Sequence, residues 1–165
     1  MSTSKSIPSG PGTVTVLGGG RLALAVSKLM AAGGATVRLW EYDEGRHKAL
    51  AKELGKVGIV TGDIEAALDQ TDLVCFAVPA TVFAEVAEAY GPYAKGNHIV
   101  LHAVRGVGDG FRLPHQMVRD ASCARKIGVR GGPLYFADFK KRRPLFVALG
   151  ARFGEVVHTV AAITE

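Results

Sequence analysis

The feature that most constrains this chain is a glycine-rich turn between a short apolar segment and an amphipathic one. Residues Thr13–Leu17 are mostly β-branched and apolar, as in a buried strand, and three consecutive glycines follow them. Residues Arg21–Ala32 then carry apolar side chains at helical spacing. Gly18 permits a tight turn, Gly20 lets a ligand approach the backbone without a Cβ in the way, and Ala23 lets the helix pack closely on a sheet. The segment therefore has the G-x-G-x-x-A pattern of a phosphate-binding strand–turn–helix unit.

Two further features of this region favour a dinucleotide ligand. The backbone N–H groups of Arg21 and Leu22, at the start of the helix, would face a pyrophosphate and be assisted by the helix dipole. Glu41 follows Gly20 by 21 residues, the spacing at which a carboxylate accepts hydrogen bonds from a ribose. We therefore expect NAD as the cofactor, preferred over NADP because a 2′-phosphate would face Glu41. Arg38 and Arg46 would soften this preference if their side chains reach the adenosine end. The alternative is a structural turn followed by a solvated glutamate.

Strand-like and helix-like segments alternate along most of the chain, which predicts repeated βαβ units. The expected fold is α/β, with a Rossmann-type doubly wound and mostly parallel sheet. A length of 165 residues suits one domain, which we place at residues 13–165 after a disordered tail at residues 1–12. The predicted strands are Thr13–Leu17, Thr36–Trp40, Gly58–Thr61, Leu73–Val78, His98–His102, Lys126–Val129 and Pro144–Leu149. The predicted helices are Arg21–Ala32, Arg46–Leu54, Asp63–Leu68, Val82–Tyr90, Leu113–Arg119 and Glu155–Ile163.

The positive charge is concentrated in the last third of the chain. Residues 1–99 carry 9 Lys and Arg against 10 Asp and Glu, whereas residues 100–165 carry 11 against 5. The basic residues include the run Lys140–Arg143, Arg152, and a cluster of Arg125, Lys126 and Arg130. They are interpreted as solvated or ligand-steering surface, with a protein interface as the alternative. Nucleic acid is disfavoured because no aromatic side chains are interleaved for base stacking.

Other features of the composition concern the compartment and the reactive residues. No apolar stretch approaches the ~20 residues that span a bilayer, and the first residues do not form a secretory signal. Two widely separated cysteines, Cys75 and Cys123, fit a reducing cytoplasm, with Cys75 as an inert core thiol. His102 ends a predicted strand near the expected cleft and is interpreted as structural rather than catalytic. We assign no catalytic residue and no metal site.

The segment from Val14 to Asp43 resembles the opening of NAD(P)-dependent glycerol-3-phosphate dehydrogenases, including the leucine–tryptophan pair that ends its second strand. Three later segments are similar to landmarks of that family in the same order: FAVPA, AVRGVG and GGPLYFADFKKRRPLFVA. The resemblance extends over residues 13–149. It implies the Rossmann-type fold, a nicotinamide cofactor, and oxidoreduction between glycerol 3-phosphate and dihydroxyacetone phosphate.

The resemblance also implies roles for residues at the ends of later strands. Val78 and Pro79 would lie along the cofactor. Arg105 corresponds to a family lysine that contacts both cofactor and substrate, and Gly132 belongs to a segment that contacts substrate. Leu134 stands where the family has a hydroxyl residue, so a ligand to the substrate is missing.

The family is a two-domain enzyme whose proton-transferring lysine belongs to a helical C-terminal domain, and we expect residues 13–165 to hold no counterpart of that domain. We therefore expect an NAD(H)-binding domain that is not catalytically complete by itself. Its partners would be the dinucleotide, a phosphorylated small molecule, and a protein partner or the second domain, with no membrane. The alternative hypothesis is a stand-alone module that senses NAD(H) or contacts another protein through its basic C-terminal face.

Overall fold

A computed structural model describes residues 12–132 and 147–164 of the chain. Its strands are β1 (Thr13–Leu17), β2 (Thr36–Trp40), β3 (Gly58–Thr61), β4 (Leu73–Phe76), β5 (Ile99–His102), β6 (Lys126–Gly131) and β7 (Ala148–Ala151). Its α-helices are α1 (Arg21–Ala32), α2 (Glu44–Leu54), α3 (Ile64–Leu68), α4 (Phe83–Tyr90), α5 (Pro114–Ala121) and α6 (Gly154–Thr164). The predicted tail at residues 1–12 lies outside the described residues except for Gly12, and so does the run Lys140–Arg143.

The strands form one sheet in the order β3-β2-β1-β4-β5-β6-β7. Neighbouring strands are parallel except for β6 and β7, which are antiparallel. Strands β2 and β3 lie on one side of β1, and strands β4 to β7 lie on its other side. The predicted doubly wound, mostly parallel Rossmann-type sheet is therefore confirmed.

Helices cover both faces of this sheet. On one face, α1, α2 and α6 pack on side chains such as Val16, Leu39 and Leu101. The C-terminal end of α1 approaches α6 so closely that a Cβ on Gly33 would overlap the backbone carbonyl of Ile163. On the other face, α3, α4 and α5 cover a second cluster, which includes the aromatic contact between Phe76 and Phe83 at 5.2 Å. Strands buried on both faces explain the continuous apolar run at β4.

The ends of several elements differ from the prediction for local reasons. Helix α2 begins at Glu44 instead of Arg46, because the Asp43 carboxylate accepts a hydrogen bond from the backbone N–H of Gly45 at 3.0 Å. Strand β4 ends at Phe76 instead of Val78, before Pro79, which has no N–H for the ladder. Strand β5 begins at Ile99 and β6 extends to Gly131.

The last predicted strand, Pro144–Leu149, lies partly outside the described residues. Within them, β7 runs from Ala148 to Ala151, later in the chain than predicted, because its pairing with β6 continues to Ala151. Among the described residues, no helix is long and apolar enough to cross a membrane.

Candidate functional site

The glycine turn lies where the chain connections diverge, between the carboxyl ends of β1 and β4. Gly18 has a φ of +118°, a conformation that favours glycine. A Cβ on Gly18 would also lie 2.7 Å from Cγ1 of Val78 and 2.8 Å from the carbonyl oxygen of Ala77. The turn thus packs tightly against Ala77 and Val78, which follow β4. In open α/β sheets, ligands bind in the crevice at this position.

Helix α1 begins in this crevice with an open N-terminus. Gly20 is its N-cap residue in an extended conformation, and no side chain among the described residues caps the helix. No acidic residue occupies its first turn, so no side chain of the helix itself offsets the positive end of the helix dipole. A Cβ on Gly20 would meet no protein atom within 4 Å. The protein itself therefore gives no packing reason for glycine here, whereas a bound phosphate would.

Glu41, predicted to face a ribose, is buried and already hydrogen-bonded. Its Oε2 atom lies 2.9 Å from Nη1 of Arg46, and its Oε1 atom accepts a bond from the N–H of Asp43 at 3.2 Å. Arg46 also donates through Nη2 to the carbonyl of Gly19 at 2.7 Å. A Cβ on Gly19 would overlap the Glu41 carboxylate. The carboxylate thus lies directly behind the glycine turn and joins it to the start of α2.

The remaining predicted site residues follow the ends of adjacent parallel strands. Val78 and Pro79 follow β4, Arg105 follows β5, and Gly132 follows β6 with a φ of +93°. Val78 is buried against Gly18, whereas Pro79, Arg105 and Gly132 are exposed. All of them lie at the same edge of the sheet as the glycine turn, because the carboxyl ends of parallel strands share one edge.

His102 is buried, and its environment keeps the imidazole neutral. Its ring packs edge-on against Phe83 with the centroids 6.2 Å apart. Burial, with a smaller effect from His115, lowers the pKa of His102 from 6.5 to about 4. Cys75 is likewise buried, and desolvation raises the pKa of its thiol to about 12, so the thiolate is absent at neutral pH. Both residues behave as core residues.

The contacts of two arginines at this edge of the sheet could not be predicted from the sequence. Arg46 was expected to soften the preference for NAD if it reached the adenosine end, but its bonds to Glu41 and Gly19 depend on the fold. Arg130 was grouped with basic residues interpreted as solvated or ligand-steering surface, and for this residue the solvated alternative is wrong. It is only 6% exposed, because alternate residues of β6 face the helices. Its neighbours in the cluster differ: Arg125 is exposed, and Lys126 pairs with Glu155 at 2.9 Å.

A separate hollow of about 400 Å³ lies beside β6 and β7, away from the glycine turn. Its lining includes the arginines Arg119, Arg125 and Arg152, the histidines His102 and His115, and the half-exposed ring of Phe153. The guanidinium of Arg152 lies 5.9 Å from the centre of that ring. The hollow would attract anions, but its two glycines, Gly128 and Gly150, lie within strands and not in a turn that opens a helix.

The chain is similar to known dehydrogenases over most of its length. Residues 13–149 match the family described as NAD-dependent glycerol-3-phosphate dehydrogenase N-terminus. The glycerol-3-phosphate dehydrogenase [NAD(P)+] of Saccharophagus degradans is 27% identical, with 92% of this chain covering 46% of that protein. That of Teredinibacter turnerae is 33% identical, with 73% covering 39%.

A solved structure of glycerol-3-phosphate dehydrogenase from Coxiella burnetii superposes with a TM-score of 0.87 at 20% identity, covering 94% of this chain and 51% of that one. The chain thus spans about half the length of the relatives that it matches. It belongs to the family of NAD-dependent glycerol-3-phosphate dehydrogenase N-termini, and it is an NAD-binding domain of Rossmann type.

Proposed function

We propose that this chain holds NAD(H) in the crevice between β1 and β4, as the cofactor half of a glycerol 3-phosphate/dihydroxyacetone phosphate oxidoreductase. The observation that carries the proposal is the open N-terminus of α1, where Gly20 faces empty space. The backbone N–H groups of Arg21 and Leu22 would bind the pyrophosphate there. Gly18 gives the turn its shape, and Val78 and Pro79 would line the cofactor beyond it.

Residues on either side of the glycine turn would form the two ends of the site, one for adenosine and one for the substrate. Glu41 and Arg46 lie toward β2 and would form the adenosine end. Arg105 would contact both the cofactor and a phosphorylated substrate, and Gly132 would contact that substrate. The bound cofactor supplies hydride exchange with a carbinol or ketone carbon. The chain's part is to orient the dinucleotide and to attract an anionic substrate electrostatically.

The complete reaction needs a proton donor, which we assign to a second domain or to a partner chain. Arg105 is too weak an acid to protonate an alkoxide at neutral pH. A cytoplasmic location fits this proposal, because Cys75 and Cys123 are free thiols and a reducing compartment preserves them. A role as an NAD(H)-responsive interaction module is the second candidate, and the basic hollow near Arg152 favours it.

Thermal unfolding with and without NADH tests the proposal. NADH at about 100 times its dissociation constant stabilises the folded state by about 2.7 kcal/mol, or several degrees in Tm. Gly20→Val is expected to keep its fold but lose this shift, because the branched side chain would occupy the space of the pyrophosphate. Gly96→Val is the matched control, since its Cβ also meets no atom within 4 Å. Equal shifts in both variants, or none at millimolar NAD or NADH in the wild type, would refute the site.

A further inference from the structure

Arg130 is a buried cation with an unused hydrogen-bonding edge. Its side chain lies on β6 with 6% of the residue exposed. Two of its nitrogens, Nε and Nη2, are buried and have no hydrogen-bond acceptor among the described residues. These two N–H groups form the side-on edge of the guanidinium, where they point in parallel. This edge fits the two oxygens of a carboxylate or phosphate.

The fold places Arg130 at the edge of the sheet that carries the glycine turn. It is directly paired with Leu149 of β7, and it lies one position beyond the paired residues His102 and Val129. Gly128, two residues earlier on the same face of β6, would contact Val156 of α6 if it had a Cβ. Arg130 therefore extends from the carboxyl end of β6 into the layer between the sheet and the helices, two residues before Gly132.

Among residues 12–132 and 147–164, no carboxylate forms an ion pair with Arg130. Burial lowers the pKa of its guanidinium, and the nearby charge of Arg105 lowers it further. Cys75, the other group that influences it, is neutral at physiological pH. The ion-paired carboxylates among the described residues have other partners: Glu41 bonds Arg46, Asp120 lies near Arg112, and Glu155 bonds Lys126.

A buried guanidinium without an acceptor lowers the stability of the folded protein. An apolar residue at this position would avoid that loss of stability. A negatively charged ligand would accept hydrogen bonds from the unpaired N–H groups and offset the buried positive charge. We propose that Arg130 binds an oxyanion through Nε and Nη2, with Arg105 attracting the anion from the exposed side of the same strand ends. The ligand group is a phosphate or carboxylate.

Two sources can supply such a group, the substrate and the pyrophosphate of the cofactor. The position beside Gly132 and Arg105 favours the substrate. In that form, the inference deepens the proposed function and rests on it for the identity of the ligand. The anion site itself requires only the geometry of Arg130.

Calorimetric titration of the full chain with inorganic phosphate, at constant ionic strength in chloride, tests the site. Charged hydrogen bonds of about 1.5–3 kcal/mol correspond to a loss of about 10-fold to 100-fold in phosphate affinity for Arg130→Met. Arg130→Lys keeps the charge without the parallel edge and should lose affinity as well, which keeps the test available if the methionine variant misfolds. The Tm of Arg130→Met in chloride should equal or exceed that of the wild type, because no buried charge remains unpaired.

Arg119→Met is the matched control, since it removes one exposed arginine from the separate basic hollow. It should leave the phosphate binding that depends on Arg130 unchanged. Phosphate affinity that is lost in Arg119→Met but kept in both Arg130 variants would overturn the proposal, and so would a wild type that binds no phosphate.

Titration with NADH in the same variants separates the two sources. NADH affinity that survives in Arg130→Met assigns the anion to the substrate side, whereas a parallel loss, with phosphate competing against NADH, assigns it to the cofactor pyrophosphate. If the wild type binds phosphate through Arg130 but fails to bind NADH, the proposed function fails while the anion site stands.

Discussion

The ion pair between Glu41 and Arg46 affects how Glu41, which follows β2, can select between NAD and NADP. A free carboxylate there would accept bonds from ribose hydroxyls and repel a 2′-phosphate. In the structure, one carboxylate oxygen bonds Arg46 at 2.9 Å and the other bonds the N–H of Asp43 at 3.2 Å. The guanidinium thus offsets the negative charge that was expected to exclude NADP.

Replacing Arg46 should therefore sharpen the preference for NADH over NADPH. In Arg46→Met, the unpaired Glu41 carboxylate would repel a 2′-phosphate, and we expect the affinity ratio to move toward NADH by about tenfold. Glu41→Gln should move the ratio toward NADPH. Fluorescence titration with both reduced cofactors measures the ratio, and circular dichroism checks the fold. An unchanged ratio in both variants would contradict the assignment of this pair to the adenosine end.

Burial of His102 makes the stability of the protein depend on pH. Its pKa is about 4 in the folded chain against 6.5 ordinarily, and burial also lowers the pKa of His98. Between about pH 4 and pH 6.5, the two pKa values of His102, the unfolded chain binds more protons than the folded one. The stabilisation is complete above about pH 6.5 and is lost as the pH falls toward 4. For His102 alone, the loss reaches about 3 kcal/mol at most.

Denaturant unfolding at pH 7 and pH 5 checks this dependence. His102→Leu should lose less stability over that interval than the wild type, because the imidazole that must bind a proton is gone. His158→Gln replaces an exposed histidine and should behave like the wild type. A wild type and a His102 variant that lose equal stability would show that His102 does not carry the effect.

At the scale of the elements, side-chain caps fix where helices begin. The carboxylate of Asp63 accepts a bond from the backbone N–H of Ala66 at 3.1 Å, which satisfies one free donor in the first turn of α3. Asp63→Ala should lower the free energy of unfolding by about 1 kcal/mol. Asp69→Ala, after the end of the same helix, is the control and should cost less. Urea unfolding compares them, and an equal loss in both variants would argue against the cap.

The bounds of β1, α1, β2 and β3 agree with the sequence prediction because local chemistry determines them. Alternating or continuous apolar residues mark these strands, and Gly20 and Gly33 delimit the first helix. The positions of Arg46 and Arg130 could not be predicted in this way. Their environments depend on contacts with Gly19 and with the α6 layer, which only the packed sheet brings together. A basic residue in a strand gives no local sign of burial.

At the scale of the whole molecule, the chain spans 46% of the Saccharophagus degradans dehydrogenase and 39% of that of Teredinibacter turnerae, and the activity of these 165 residues can be measured directly. We expect it to reduce dihydroxyacetone phosphate far below the ordinary enzyme range of ~1–10³ s⁻¹. His102 is neutral, with a pKa of about 4, and Arg105 is a poor acid, so neither would supply a proton to the developing alkoxide. Loss of a general acid alone costs about 10²–10⁴-fold.

Steady-state NADH oxidation by the 165-residue chain, with dihydroxyacetone phosphate as substrate, measures this activity. Turnover within the ordinary range would contradict the expectation and show that the chain carries its own proton donor. Addition of a dehydrogenase C-terminal domain, fused or in trans, should raise the rate if proton donation limits these 165 residues.

NADH is expected to bind at the glycine turn, and amide chemical shifts of the ¹⁵N-labelled chain locate the bound NADH most directly. At 17.3 kDa, the chain is small enough for backbone amides to be followed individually during a titration. We predict that the largest shifts occur at Gly18, Gly20, Arg21 and Leu22, with smaller ones at Val78 and Arg105. Shifts confined to the basic hollow around Arg152 and Phe153, with the glycine turn unmoved, would contradict this expectation.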